Sequence, residues 1–123
     1  MSITSITAAN DARGYVEGMT KEDFLVDKRT QQAVVMSLVI IGEAASRVMD
    51  QYSEFAAVHP AIPWRGMRGM RNRIARGYFD VNLEVVWDTV RAALPDLSER
   101  LEELRGRWPR PGPELEQTLN RRA

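Results

Sequence analysis

Residues 33 to 49, AVVMSLVIIGEAASRVM, are apolar on nearly every side of a helical wheel. A helix without a polar face has to be enclosed by other elements, so this stretch constrains the fold more than any other. Its uninterrupted apolar runs are only four residues long on either side of Ser37, and Glu43 and Arg47 follow. A membrane span needs about 20 mostly apolar residues, so the stretch reads as the buried central helix of a bundle. Asp27 is placed to cap it, which predicts a helix over 28–50. Gly42, Ala44, Ala45 and Ser46 thin its surface and let another backbone come close.

The elements that enclose it are also helical. Residues 6–18 predict a modest helix, interrupted by Gly14 and stopped by Gly18. Thr20, with Asp23 three positions on, resembles a capping box that opens a short KEDFLV turn. YSEFAAVHPAIPW reads as a helical turn and a connection. Pro63 suits the first turn of a helix over 63–77, for which Gly77 is a plausible stop. On the wheel Trp64, Met67, Met70, Ile74 and Tyr78 share one arc of about 120°. Arg65, Arg68, Asn72 and Arg76 fall opposite, and Arg71 lies at the border. Asn82 then caps a last long helix with apolar positions 83, 87, 90, 94, 97, 101 and 104, the alternating spacing of antiparallel packing. Pro95 removes one backbone donor and should kink it. The expected fold is all-α, an antiparallel bundle of about four main helices over residues 1–104. A proline-, glycine- and arginine-rich tail follows over 105–123 and reads as mobile.

Residue types narrow the chemistry. The chain has no cysteine and one histidine, His59, which excludes thiolate sites and makes a histidine metal site within one chain an unsuitable reading. No metal and no cofactor are expected. His59, beside a proline, reads as a capping or surface residue. The N-terminus has no basic stretch followed by an apolar one, so the cytoplasm is the expected location. Lysine plus arginine equals aspartate plus glutamate, 17 against 17, so attraction for nucleic acid has to come from local clustering. Such a cluster lies at Arg65, Arg68, Arg71, Arg73 and Arg76, with one acid, Asp80, shortly after. Two readings stand side by side: a solvated or internally paired helix face, or a surface that holds several phosphates. Glu43 likewise either pairs with an arginine of this helix or is simply exposed. Trp64, Met67, Met70 and Trp87 read as packing residues, the first three in the core or between subunits.

The string IPWRGMRGMRNRIARGYFDVNLEVVWDTV (62–90), with IIGEAASRV (40–48) and EDFLVDKRTQQAVV (22–35), resembles the HepT-type HEPN proteins, formerly grouped as DUF86. The family motif is Arg, four residues, His, any residue, Tyr. Here Arg71 and Tyr78 occupy its ends, Asn72 is the polar residue that commonly follows the arginine, and Arg76 stands in the histidine slot. The resemblance implies a HEPN bundle and a metal-independent endoribonuclease toxin, acting as a homodimer with both motifs at the interface. It also implies a nucleotidyltransferase antitoxin of the MNT type that silences the toxin by adenylylating Tyr78.

In such a site Arg71 would hold phosphate, Asn72 would position sugar or phosphate, and Tyr78 would stack on or donate to RNA, while Arg65, Arg68 and Arg73 would extend the RNA contact. Arginine has no acceptor atom and cannot transfer protons near neutral pH. Arg76 can therefore grip phosphate but cannot replace histidine in proton transfer, and most nuclease activity is expected to be lost. A disabled toxin and a natural non-catalytic module that only binds the transferase both fit that substitution. On a straight helix position 76 points about 140° from Arg71, so the helix must bend near Gly77 or the site must draw on two chains.

Overall fold

A computed structural model describes residues 2–77, 81–104 and 107, with side chains from residue 6 onward. The order of elements is α1 (Ser2–Tyr15), α2 (Lys21–Val26), α3 (Lys28–Gln51), α4 (Ser53–Val58), α5 (Trp64–Arg76), α6 (Leu83–Asp88), a π-helical turn (Thr89–Ala93) and α7 (Leu94–Glu103). No strand occurs among the described residues. The chain is an all-α bundle, as its periodicity predicts. The expected tail lies outside the described residues except for Arg107, whose N–H donates to the Leu104 carbonyl at 2.8 Å.

Local signals account for most boundaries. Thr20 and Asp23 form the full capping box of α2, each side chain accepting from the other's backbone N–H at 3.1 Å. Asp27 caps α3 by accepting from the Thr30 N–H at 3.1 Å and the Thr30 hydroxyl at 2.8 Å. Those two bonds, the backbone one first, hold its carboxyl below the ordinary value of 3.8. Asn82 caps α6 by accepting from the N–H groups of Glu84 and Val85.

Other boundaries follow expectation in place but differ in detail. Helix α1 runs through Gly14 to Tyr15, because Ile6, Ala8, Ala9 and Ala12 are buried along it and tertiary packing overrides the cost of one glycine. Gly18 ends the following turn with φ +78°, a conformation that favours glycine. Helix α5 starts at Trp64 with Pro63 as its cap, and Gly77 ends it in extended rather than left-handed backbone, φ −157°. Near Pro95, the ladder adapts by a wide turn upstream. Proline has no N–H for the Arg91 carbonyl, and residues 89–93 take the π form, with the Thr89 hydroxyl donating to the Val85 carbonyl at 2.7 Å.

Helix α3 is the centre. It packs on α5 and α1, and α1 packs in turn on α7. By length and composition α3 could cross a membrane, yet 56% of its most apolar window is buried inside the bundle. Val34, Ala45 and Val48 are fully enclosed, and Phe24 of α2 stacks its ring 5.4 Å from that of Trp87 on α6.

At the crossing of α3 and α5, Gly42 leaves room for the partner helix. A β-carbon there would overlap the Arg71 β-carbon and lie 2.7 Å from the Met67 carbonyl oxygen. Alanine normally stabilises a helix interior by about 1 kcal/mol over glycine, but here overpacking should win, with a net loss of roughly 2 kcal/mol for Gly42→Ala. Gly69 on α5 has nothing within 4 Å of a β-carbon, so Gly69→Ala should gain about 1 kcal/mol. Thermal or urea unfolding of the two variants should show opposite shifts; the same sign for both would refute the close crossing.

Candidate functional site

Because Gly42 lets α5 settle onto α3, the arginines at the contact are led along α3 rather than into solvent. Arg71 donates from Nη1 to Glu43 Oε1 at 2.7 Å and from Nη2 to Ser46 Oγ at 2.9 Å. One turn earlier, Arg68 donates from Nε to the same hydroxyl oxygen at 2.9 Å. Its Nη2 donates to the Ser46 carbonyl at 3.0 Å and to Asp50 Oδ1 at 2.6 Å. Later residues of α5 thus reach earlier residues of α3, so the two helices run antiparallel. One buried hydroxyl accepts from two guanidinium groups, using both of its lone pairs.

This geometry revises the helical-wheel picture. Arg68 does not share the open face with Arg65 and Arg76; its long stem carries it across to α3, and its side chain keeps 31% exposure. Glu43 has the arginine partner that an apolar helix would demand of a carboxylate, yet it remains 48% exposed. Glu43 and Asp50 offset Arg71 and Arg68, which leaves the local positive charge of α5 on Arg65, Arg73 and Arg76. All three are exposed and have no ion pair among the described residues. Asn72 is half-buried.

Helix α5 stays regular through Arg76, so Arg71 and Arg76 point to different sides of it within one chain. Tyr78 lies outside the described residues. Beyond the last turn of α5, a groove of about 420 Å³ opens between α5 and the start of α6. Arg73, Arg76 and Asn82 line it together with Met70, Ile74 and Val85. His59 closes α4 as its C-cap, its ring 4.5 Å from that of Phe55, and its carbonyl accepts from the Trp64 indole at 3.2 Å. That is a packing role.

Chemically, the arrangement offers fixed cations rather than a proton-transfer pair. The Arg71 guanidinium is oriented from two directions and retains one N–H on each terminal nitrogen, while its buried Nε has no partner among the described residues. Such a preset fork suits an oxyanion. Sequence reasoning missed Ser46, which orients both arginines, and Asp50, which holds Arg68 beside it. Ser46 drew attention only as a small residue, and the signal overlooked was a hydroxyl in that thinned patch, four residues before an acid.

Comparison with known proteins gives a family. The family described as HepT-like, Ribonuclease HepT-like, matches residues 6–104. A protein named "Probable ribonuclease HepT" from Thermococcus cleftensis is 45% identical over 84 residues, 68% of this chain and 74% of that one. Proteins named "Putative RNase" from Methanocaldococcus jannaschii and Caldanaerobacter subterraneus are each 36% identical. They align over 94 and 89 residues, 76% and 72% of this chain and 75% and 77% of their own. No solved structure gives a significant match.

Ser46→Ala removes the shared acceptor and leaves two guanidinium groups short, which should cost about 1–3 kcal/mol. Glu43→Gln, at a half-exposed pair, should cost about 1 kcal/mol or less. Urea titration of the two variants checks the order; if Ser46→Ala is the milder change, the hydroxyl is not the node between the helices.

Proposed function

Because this chain belongs to the ribonuclease HepT-like family, we propose that it is the RNA-directed member of a toxin–antitoxin pair, its own cleavage step disabled at Arg76. The molecule works in the cytoplasm as a homodimer that brings two copies of α5 to one RNA strand. Two features support the pairing of subunits. Arg71 and Arg76 cannot meet within one chain, and the outer face of α3 beside Glu43 leaves Met36 exposed and Val39 and Ile40 half-covered. A symmetric dimer would complete the site and cover that face.

Metal-free RNA cleavage needs a base for the ribose 2′-hydroxyl, charge stabilisation at the phosphorus and an acid for the departing 5′ oxygen. In this reading Arg71 holds a non-bridging phosphate oxygen, Asn72 orients the sugar, and Tyr78 contacts RNA. Arg65, Arg68 and Arg73 flank them. Arg76 carries the proposal: it is an exposed guanidinium with no carboxylate partner among the described residues, able to bind phosphate and unable to move a proton. The partner is a nucleotidyltransferase of the MNT type, which would transfer AMP to the Tyr78 hydroxyl and place bulk and negative charge against the basic helix.

A second reading has its own support. The bonds from Arg68 and Arg71 to α3 explain the motif arginine through the fold alone, as expected of a non-catalytic module kept for binding the transferase.

Arg76→His decides between them. General acid–base catalysis contributes roughly 10²–10⁴-fold, so the disabled nuclease should gain RNA cleavage on that scale, with Arg76→Gln as the inactive control. No gain favours the binding module. Incubation with a cognate transferase and ATP should add AMP to Tyr78 by mass spectrometry, and its absence, with an active transferase, would remove the antitoxin assignment.

A further inference from the structure

We propose that the groove between the end of α1 and the π-helical turn binds a small phosphorylated sugar, its phosphate on Arg13 and Arg91 and its hydroxyls on Asn10 and Glu17. The site goes beyond the RNA-directed reading, and α5 lends it no residue. Its volume is about 420 Å³, within the roughly 300–1,000 Å³ of sites that hold small ligands. The two stretches that form it, residues 10–18 and 90–95, are described without a break.

Gly14 is the residue that first points to a ligand. A glycine within a helix weakens it relative to alanine, and a close neighbour or a positive φ usually accounts for its presence. Gly14 has neither: nothing lies within 4 Å of the β-carbon it lacks, and its φ is not positive. It does line the groove. The missing side chain widens that wall and lets a ligand approach bare backbone. Arg91 and Pro95 form the opposite wall at the wide π turn, a local geometry that recurs at functional sites. The Arg91 guanidinium lies 5.3 Å over the Trp87 ring, a contact that fixes the group without consuming its N–H donors.

The remaining lining selects the ligand. Arg13 and Arg91 have no ion pair among the described residues, so both guanidinium groups are available to phosphate oxygens. Glu17 is the single acid of the groove and has no ion pair there either. It would repel a bare oxyanion, yet its two oxygens can accept from neighbouring hydroxyls, while the Asn10 amide both donates and accepts. Val16 and Val90 at the base of the groove are buried and offer little open surface to a flat apolar ring. Cations for a phosphate, with a carboxylate and an amide for hydroxyls, complement a sugar phosphate; a fatty chain would leave all four polar groups unused.

The test is calorimetric titration and thermal unfolding of the full-length protein with ribose 5-phosphate, inorganic phosphate and ribose. Ribose 5-phosphate should bind and, at about 100 times its Kd, raise the unfolding temperature by roughly 5–10 °C. Inorganic phosphate should bind roughly tenfold more weakly, and ribose not measurably. Arg13→Gln should weaken ribose 5-phosphate by about tenfold. Glu17→Gln should bring the two phosphates close to equal affinity, since it removes a hydroxyl acceptor and a repulsion together. Gly14→Leu should unfold no earlier than the unaltered chain yet bind ribose 5-phosphate at least about tenfold more weakly; a purely structural role for this position cannot produce both. Arg47→Gln, at an exposed arginine of α3 outside the groove, should change nothing. No binding of ribose 5-phosphate, or binding that survives Gly14→Leu or Arg13→Gln, would overturn the site. Inorganic phosphate bound as tightly as ribose 5-phosphate by the unaltered protein would overturn the sugar assignment. Neither result bears on the RNA-directed reading.

Discussion

The crossing of α5 over Gly42 is the contact on which the rest depends. Without a side chain at that point, the backbone of α5 comes within contact distance of α3, and Met67 and Arg71 sit directly on it. Only from that distance can two arginines one turn apart reach a single serine hydroxyl. The apolar core supplies most of the stability through burial, but it is tolerant of sliding. The polar cluster of Glu43, Ser46, Asp50, Arg68 and Arg71 is not tolerant, since a shift of one turn would strand buried donors. Burial makes the bundle, and hydrogen bonding sets its register.

This arrangement ties architecture to function at Arg71. The same guanidinium that would face a phosphate is held by Glu43 and Ser46, so the motif arginine is oriented before any ligand arrives. An oriented cation loses little side-chain freedom on binding, which favours it as an anion holder. Its intrachain carboxylate also tempers its charge, and the unshielded attraction of the helix passes to Arg65, Arg73 and Arg76. Within α5, then, one side is given to structure and the other to charge, and the residue in the histidine slot falls on the charged side.

Much of this was legible in the residues. The enclosed α3, the caps at Thr20, Asp27 and Asn82, and the stripe from 83 to 104 follow from period and capping chemistry, which are local properties of sequence. The small patch at Gly42 to Ser46 correctly announced a close approach. Less was legible wherever the answer depended on the reach of a long side chain. A wheel assigns Arg68 by its α-carbon, yet the guanidinium lies several ångströms away, on a neighbouring helix whose position the sequence does not state. Gly14 misled for a related reason, since propensity is local and the packing that outweighs it is not. The groove beside Arg76 was invisible because it is made by two segments, the end of α5 and the start of α6, whose meeting in space the sequence does not state.

The π turn at 89–93 carries one more consequence. Apolar positions run from 83 to 104 at unbroken α spacing, but a wide turn spends more residues per revolution than an α turn. The stripe is therefore carried around the rod as it passes that point. Before it, α6 meets α2 and α3; after it, α7 meets α1. A single pattern of leucine and valine thus serves two separate neighbours, like a gear that changes the side on which it engages. A homologous chain that replaced Pro95 and restored straight winding would need to rewrite its downstream leucines to keep α1 in place.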